Sequence, residues 1–251
     1  MASVIGREFE FPLLHRASTL DESEAASGVE ELVRRGVLHG VGERFDFTHD
    51  RIREVAYGTL LLPRRRLLHR QVAESLEDLH RAHLEPHMLA LGLHYREAGV
   101  WAQSADYLAR AGREAQTVRS ANREALACYE GALAALAGMP ADTATAKRGI
   151  ELGIWAETAL MGLGDFHAAL ARLREAETLA RALPQRWHLG RVRSRMTYQL
   201  GSIGDLQGAV AAGEEALELQ RDDPDVRLRG GLMSWWRARI TVSATSAARS
   251  T

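Results

Sequence analysis

The chain has 251 residues, 46% of them apolar and 26% charged, and a formal net charge of -1. That balance excludes the broad basic footprint of a general nucleic-acid binder, and a single cysteine, Cys128, excludes an intramolecular disulfide or a multi-cysteine zinc site. No stretch approaches the ~20 consecutive apolar residues of a membrane helix. Arg7, Glu8 and Glu10 break any signal-peptide core, so a soluble, cytoplasmic protein without membrane contact is expected.

Lys147 is the only lysine among 32 basic residues, and Arg148 follows it. The phosphate-cradling loop G-x-x-x-x-G-K-[ST] needs Ser or Thr there, so the chain carries no P-loop of its own. Six prolines and 6% aromatics favour a mostly helical protein packed through small side chains.

Glu8-Phe9-Glu10-Phe11-Pro12-Leu13-Leu14 opens a short element. Asp21, with Glu24 three residues on, predicts a capping-box-like start for a helix that carries Val29, Leu32 and Val33 and stops at Gly36. Two apolar runs around Gly40 and Gly42, with Phe45 and Phe47 on one face, predict a β-hairpin. Ile52, Val55, Ala56 and Leu60 mark a helix that Thr48 can cap, and Pro63 starts another through Leu68, Val72, Leu76 and Leu79. Helices and a hairpin in this order predict a winged-helix unit.

Beyond residue 87 no strand-like alternation persists, and a repeat emerges. Gly164-Asp165-Phe166 lies over Gly204-Asp205-Leu206 at an offset of 40 residues, which brings Ala169 onto Ala209, Ala176 onto Ala216 and Leu179 onto Leu219. Gly99-Val100-Trp101 and Ser120-Ala121-Asn122 align more loosely with the same block. A glycine can take the left-handed conformation that ends one helix, and an aspartate can accept the first amide hydrogens of the next. Helix pairs of this kind leave one apolar side open and stack into a solenoid.

The expected organisation is therefore a winged-helix module with its connecting helix over 1–80, tetratricopeptide-like helical repeats over 81–225, and an irregular, disordered tail over 226–251. From Val226 onward there are five arginines and no acidic residue, around Trp235-Trp236. Leu228, Leu232, Trp235 and Trp236 suit one more helix without a partner, so the end reads as a truncation scar or a frameshifted terminus.

Few residues invite chemistry. His80, His83, His87 and His94 recur at helical spacing, but Pro86 interrupts the helix and no H-E-x-x-H accompanies them; surface histidines are expected, not a metal site. Cys128 within an alanine-rich helix reads as a small core residue, Gly40-x-Gly42 as a hairpin turn, and no G-x-S-x-G elbow is present. No catalysis and no cofactor are expected. Arg64-Arg65-Arg66 with Arg70 suits phosphate contact, but residues 1–90 hold twelve arginines against fifteen acidic residues, and the helix from Asp21 to Arg35 carries Glu22, Glu24, Glu30 and Glu31. That face repels phosphate and argues against DNA. His49, just after a hairpin strand and at a helix start, either faces an anion held by a neighbouring domain or, more simply, caps or packs the junction.

Ala2-Ser3-Val4-Ile5-Gly6-Arg7-Glu8-Phe9 resembles the segment after the ATPase core of bacterial signal-transduction ATPases with numerous domains, which include maltose-activator-like regulators and ATPase-containing adenylate cyclases. Phe45-Asp46-Phe47-Thr48-His49-Asp50-Arg51-Ile52-Arg53-Glu54-Val55-Ala56-Tyr57 and Leu61-Leu62-Pro63-Arg64-Arg65-Arg66-Leu67-Leu68-His69-Arg70 resemble their winged-helix exit. Leu91-Gly92-Leu93-His94-Tyr95-Arg96-Glu97-Ala98-Gly99 resembles their first tetratricopeptide-like pair, and the likeness covers roughly 2–220. It implies a nucleotide-regulated switch in which this region packs against a P-loop ATPase domain. Thr48-His49-Asp50 is similar to the Met-His-Asp motif of related ATPases, which implies that His49 would contact the β-phosphate of ADP when another segment or chain supplies the core. The P-loop, the aspartate motif downstream of it and any output domain are missing here.

The expected function is thus a non-catalytic regulatory segment of a nucleotide-regulated signalling ATPase or transcriptional regulator, with a protein partner on the concave face of the repeats around 91–220. The alternatives are a winged-helix DNA-binding transcriptional regulator with a helical sensor domain, and a gene remnant with no retained role.

Overall fold

The computed structural model describes residues 1–42 and 44–219. The expected tail over 226–251, including the helix drawn through Leu228 and Trp236, lies outside the described residues. The fold is mostly α: a winged-helix unit with a small antiparallel sheet, followed by paired helices. The described chain divides into two compact units, one of residues 1–112 with 134–139, the other of 113–133 with 140–219.

The first unit opens with α1 (Ala2–Ile5), β1 (Glu8–Glu10), α2 (Phe11–Ala17), α3 (Glu22–Arg34) and the hairpin β2 (Leu38–Val41) and β3 (Arg44–Phe47). The capping box of α3 forms in full: the Glu24 amide donates to Asp21 Oδ1 at 2.8 Å and the Asp21 amide to Glu24 Oε2 at 3.2 Å. Its end comes where expected, with Gly36 left-handed and the Val37 amide donating to the Leu32 carbonyl at 2.9 Å. The turn of the hairpin falls at Gly42, also left-handed.

One strand went unpredicted. Glu8–Glu10 pairs antiparallel with β3, so the sheet order is β1-β3-β2, with Phe9 opposite Phe45. Three residues are too few for alternation to show in the sequence, yet Phe9 alone is buried between exposed Glu8 and Glu10. It joins Leu14, Val29, Leu38 and Phe47 in the core beneath the sheet. A second cluster of Val4, Ala17, Leu68, Val72, Leu76, Leu91 and Tyr95 joins α1 and α2 to α5 (Leu62–Leu79) and α6 (Met88–Ala98).

Between sheet and α5 runs α4 (Asp50–Gly58). Thr48 does not cap it. The N-cap is His49, in extended backbone and without a side-chain cap bond, and the Thr48 hydroxyl donates instead to the Gly36 carbonyl at 2.7 Å. That bond ties the end of β3 to the end of α3, which shifts the helix start by one residue.

Within this unit α6 meets the first part of α7 (Trp101–Thr117) at Gly92. A Cβ on Gly92 would stand 2.6 Å from Leu108 Cγ, and the buried Ser104 hydroxyl donates to the Gly92 carbonyl at 2.8 Å. Backbone and side chain here approach too closely for any larger residue.

The second unit holds α9 (Thr143–Gly162), α10 (Phe166–Arg181), α11 (Trp187–Ser202) and α12 (Leu206–Leu219), together with most of α8 (Asn122–Leu136). Helix α9 packs on α10, α10 on α11 and α11 on α12, and the first helices α9 and α11 also touch each other. Both expected junctions form alike. Gly164 and Gly204 are left-handed at φ 79° and 89°, and Asp165 and Asp205 accept the Ala168 and Gly208 amides at 2.9 and 2.8 Å. Ser120 occupies the looser equivalent position and takes the same left-handed backbone at φ 52°. Ala169, Leu173 and Ala176 lie fully inside, with Ala212 and Ala216 in the next pair. The register is less regular at its end, where Leu179 is 37% exposed and Leu219 only 5%.

Candidate functional site

His49 is exposed, and its ring neither caps α4 nor packs into the junction. The partial positive charge at that helix start already faces a carboxylate, Asp50, which pairs with Arg7 at 3.2 Å. Arg51 beside it is exposed as well. The arrangement leaves His49 accessible to an external group.

The basic run at the start of α5 splits by role. Arg65 folds back over the Tyr57 ring at 4.7 Å and donates to the carbonyls of Leu60 and Gly58 at 2.8 and 3.2 Å, closing the corner between α4 and α5. Arg64, Arg66 and Arg70 remain exposed. Apolar side chains share that corner: Val55 is 64%, Leu61 77% and Leu62 59% exposed.

The histidines do not behave as a surface set. His83 is exposed, whereas His80 and His87 are half-buried and stack at 3.7 Å between ring centroids. Burial and the neighbouring rings of His80 and His83 hold His87 below the ordinary histidine range. His94 leaves the series altogether: it is buried and faces His69, Nδ1 to Nδ1, at 2.9 Å. Among the described residues no group of three or more His, Cys, Asp or Glu side chains could hold a metal ion.

Cys128 is a core residue, and burial pushes its thiol above the usual range, away from the reactive thiolate. Nearby, Tyr129 is fully buried and donates to Gln116 Oε1 at 2.9 Å.

In the second unit the contact between α9 and α11 holds a buried charge that no local motif announces. Glu157, 1% exposed, accepts from Gln199 Nε2 at 2.5 Å and from Arg195 at 2.7 Å, while Thr158 bridges to both Glu157 and Arg195. Gln199 Oε1 is buried and has no hydrogen-bond partner. Further out, Arg193 links Glu177 and Glu215 across α10 and α12. A buried carboxylate at this helix contact costs desolvation unless its lone pairs are met, and the Gln199 amide and the Arg195 guanidinium meet them here.

Below α3 lies an open groove of about 520 Å³, lined by Phe11, Val29, Val33, Phe45, Glu30 and Arg34, with Gly40 and Gly42 leaving room on the hairpin side. Glu31 engages both Arg34 and Arg35. Among the described residues no helix is long and apolar enough to cross a membrane. No family model matches the chain, and no curated protein matches it.

Proposed function

We propose that this chain is a non-catalytic regulatory segment of a nucleotide-regulated signalling ATPase or transcriptional regulator, working in the cytoplasm as a protein-interaction module. The observation that carries the reading is the repeated junction of the second unit. Left-handed Gly164 and Gly204, each followed by a capping aspartate, build helix pairs of the kind that stack into arrays and present extended protein-binding faces. The partner engages the helices around 91–220. The acidic exposed face of α3, with Glu22, Glu24 and Glu30, supports a protein partner over phosphate.

His49 is the residue proposed to meet ADP, and only when a P-loop ATPase domain is supplied by another segment or chain. Its exposure at the start of α4 is compatible with that role. Two measurements test the reading. Equilibrium dialysis of the isolated chain against labelled ATP and ADP should give no stoichiometric retention, and ATP turnover should stay at the level of a blank. Stoichiometric nucleotide capture by these 251 residues would overturn it. Photocrosslinkers placed at Tyr198 and Ser202 should yield discrete protein adducts in the native host; adducts only with nucleic acid would overturn the choice of partner.

A further inference from the structure

The groove beneath α3 belongs to the winged-helix unit and is independent of the helical-repeat reading. Its walls are apolar: Phe11 and Phe45 are half-buried, Val29 is buried, and Val33 is 39% exposed at the mouth. Its volume of about 520 Å³ suits one or two large side chains and is too small for a folded element. Gly40 keeps it open, since a Cβ there would already meet the Phe45 ring at 3.2 Å.

The helix that walls it has an acidic excess. Glu30 lines the groove, is exposed and has no ion pair among the described residues, while Arg34, one turn further along the same helix, is held by Glu31. Glu22 and Glu24 extend the same helix, which carries four glutamates against Arg34 alone, and Glu31 engages both Arg34 and the capping Arg35 at its end. A phosphate backbone meets repulsion on this face. A cationic chain meets attraction, and the apolar cleft beside Glu30 offers the anchor such a chain needs.

We propose that the groove between α3 and the β2–β3 hairpin is a docking site for a cationic peptide segment of a partner protein, which seats a large aliphatic or aromatic side chain between Val29, Val33, Phe11 and Phe45 and sets an arginine or lysine against Glu30. The element that would enter DNA in a nucleic-acid-binding winged helix here receives a protein.

Two fluorescein-labelled pools of short peptides test this on the full chain. Both fix a central Leu or Phe; one carries Arg, the other Glu, one helical turn away. Anisotropy titrations at about 0.1 M salt should favour the arginine pool by roughly tenfold. Glu30→Arg should reverse that preference. Ala26→Trp, on the lining of the cleft, and Val33→Lys, at its mouth, should each weaken both pools at least about tenfold, with thermal melts confirming folded variants. If one variant fails to fold, the other decides. No arginine preference, binding indifferent to both cleft variants, or saturable duplex-DNA binding that Ala26→Trp abolishes would each overturn the proposal.

Discussion

His69 and His94 face each other through their Nδ1 atoms at 2.9 Å, inside the first unit and 25 residues apart in sequence. Two nitrogens so close share one hydrogen. The Ile5 carbonyl accepts from the other side of His94, so the Nδ1 of His94 is the acceptor and His69 the donor. That leaves His69 Nε2 to accept from the Tyr57 hydroxyl at 2.9 Å. The chain Tyr57 to His69 to His94 to Ile5 thereby links α4, α5, α6 and α1, and protonating both rings would put a hydrogen on each of the facing nitrogens and break it.

Stability of this unit should fall in mild acid. Burial, with the neighbouring His69 ring, lowers the His94 pKa from 6.5 to about 4, and burial lowers His69 in the same direction, with Glu97 opposing and Arg65 adding to it. The unfolded chain then binds more protons than the folded one between those values. Stability is full above the ordinary histidine value and is lost as the pH drops toward the folded one, by an amount of the order of 3 kcal/mol for His94. Urea midpoints at pH 7.5 and 5 should differ in the parent chain and differ less in His94→Asn, whose amide accepts from His69 without titrating. An equal acid loss in both would refute the assignment.

The two Gly-Asp junctions should respond as copies. Gly164→Ala and Gly204→Ala meet open space, so their cost is conformational, about 1–2 kcal/mol each. Asp165→Ala and Asp205→Ala each remove a cap worth about 0.5–2 kcal/mol. Denaturant unfolding of the four variants should group them by residue type and not by position.

Truncating Glu157 should destabilise through Gln199 more than through Arg195. The arginine is 42% exposed and can turn to water, whereas Gln199 is fully buried and would lose its acceptor at a cost of about 1–3 kcal/mol. Glu157→Leu should therefore lose that amount, and Glu157→Leu with Gln199→Leu should recover part of it. A double-mutant cycle with no coupling would contradict the geometry.

His49→Ala should leave the isolated chain unchanged to within about 0.5 kcal/mol, because the exposed ring makes no cap bond. Chemical denaturation checks this directly. A larger loss would give His49 a structural role.

What the sequence made legible was local. The Asp21–Glu24 box, the glycine stops at Gly36, Gly164 and Gly204, and the hairpin around Gly42 all rest on residues a few positions apart, and they formed as expected. Even Ser120, aligned with those glycines, takes their backbone conformation. What escaped was decided by distant partners. Glu8-Phe9-Glu10 becomes a strand only because β3 offers it an edge. His94 looked like one member of a spaced series, and nothing near it in sequence announces His69. Glu157 reads as an ordinary helical acid until Gln199 and Arg195 close over it. The reading of His49 as a capping or packing residue failed for a similar reason, since the Thr48 hydroxyl is claimed by Gly36 and the ring is left outside.

The matching geometry at Gly164-Asp165 and Gly204-Asp205 carries an architectural corollary. A joint that is rebuilt identically one period later makes the stretch between them an interchangeable block. Splicing in a duplicate of residues 165–204 would lengthen the run by one helix pair and set the same joint at both of its ends.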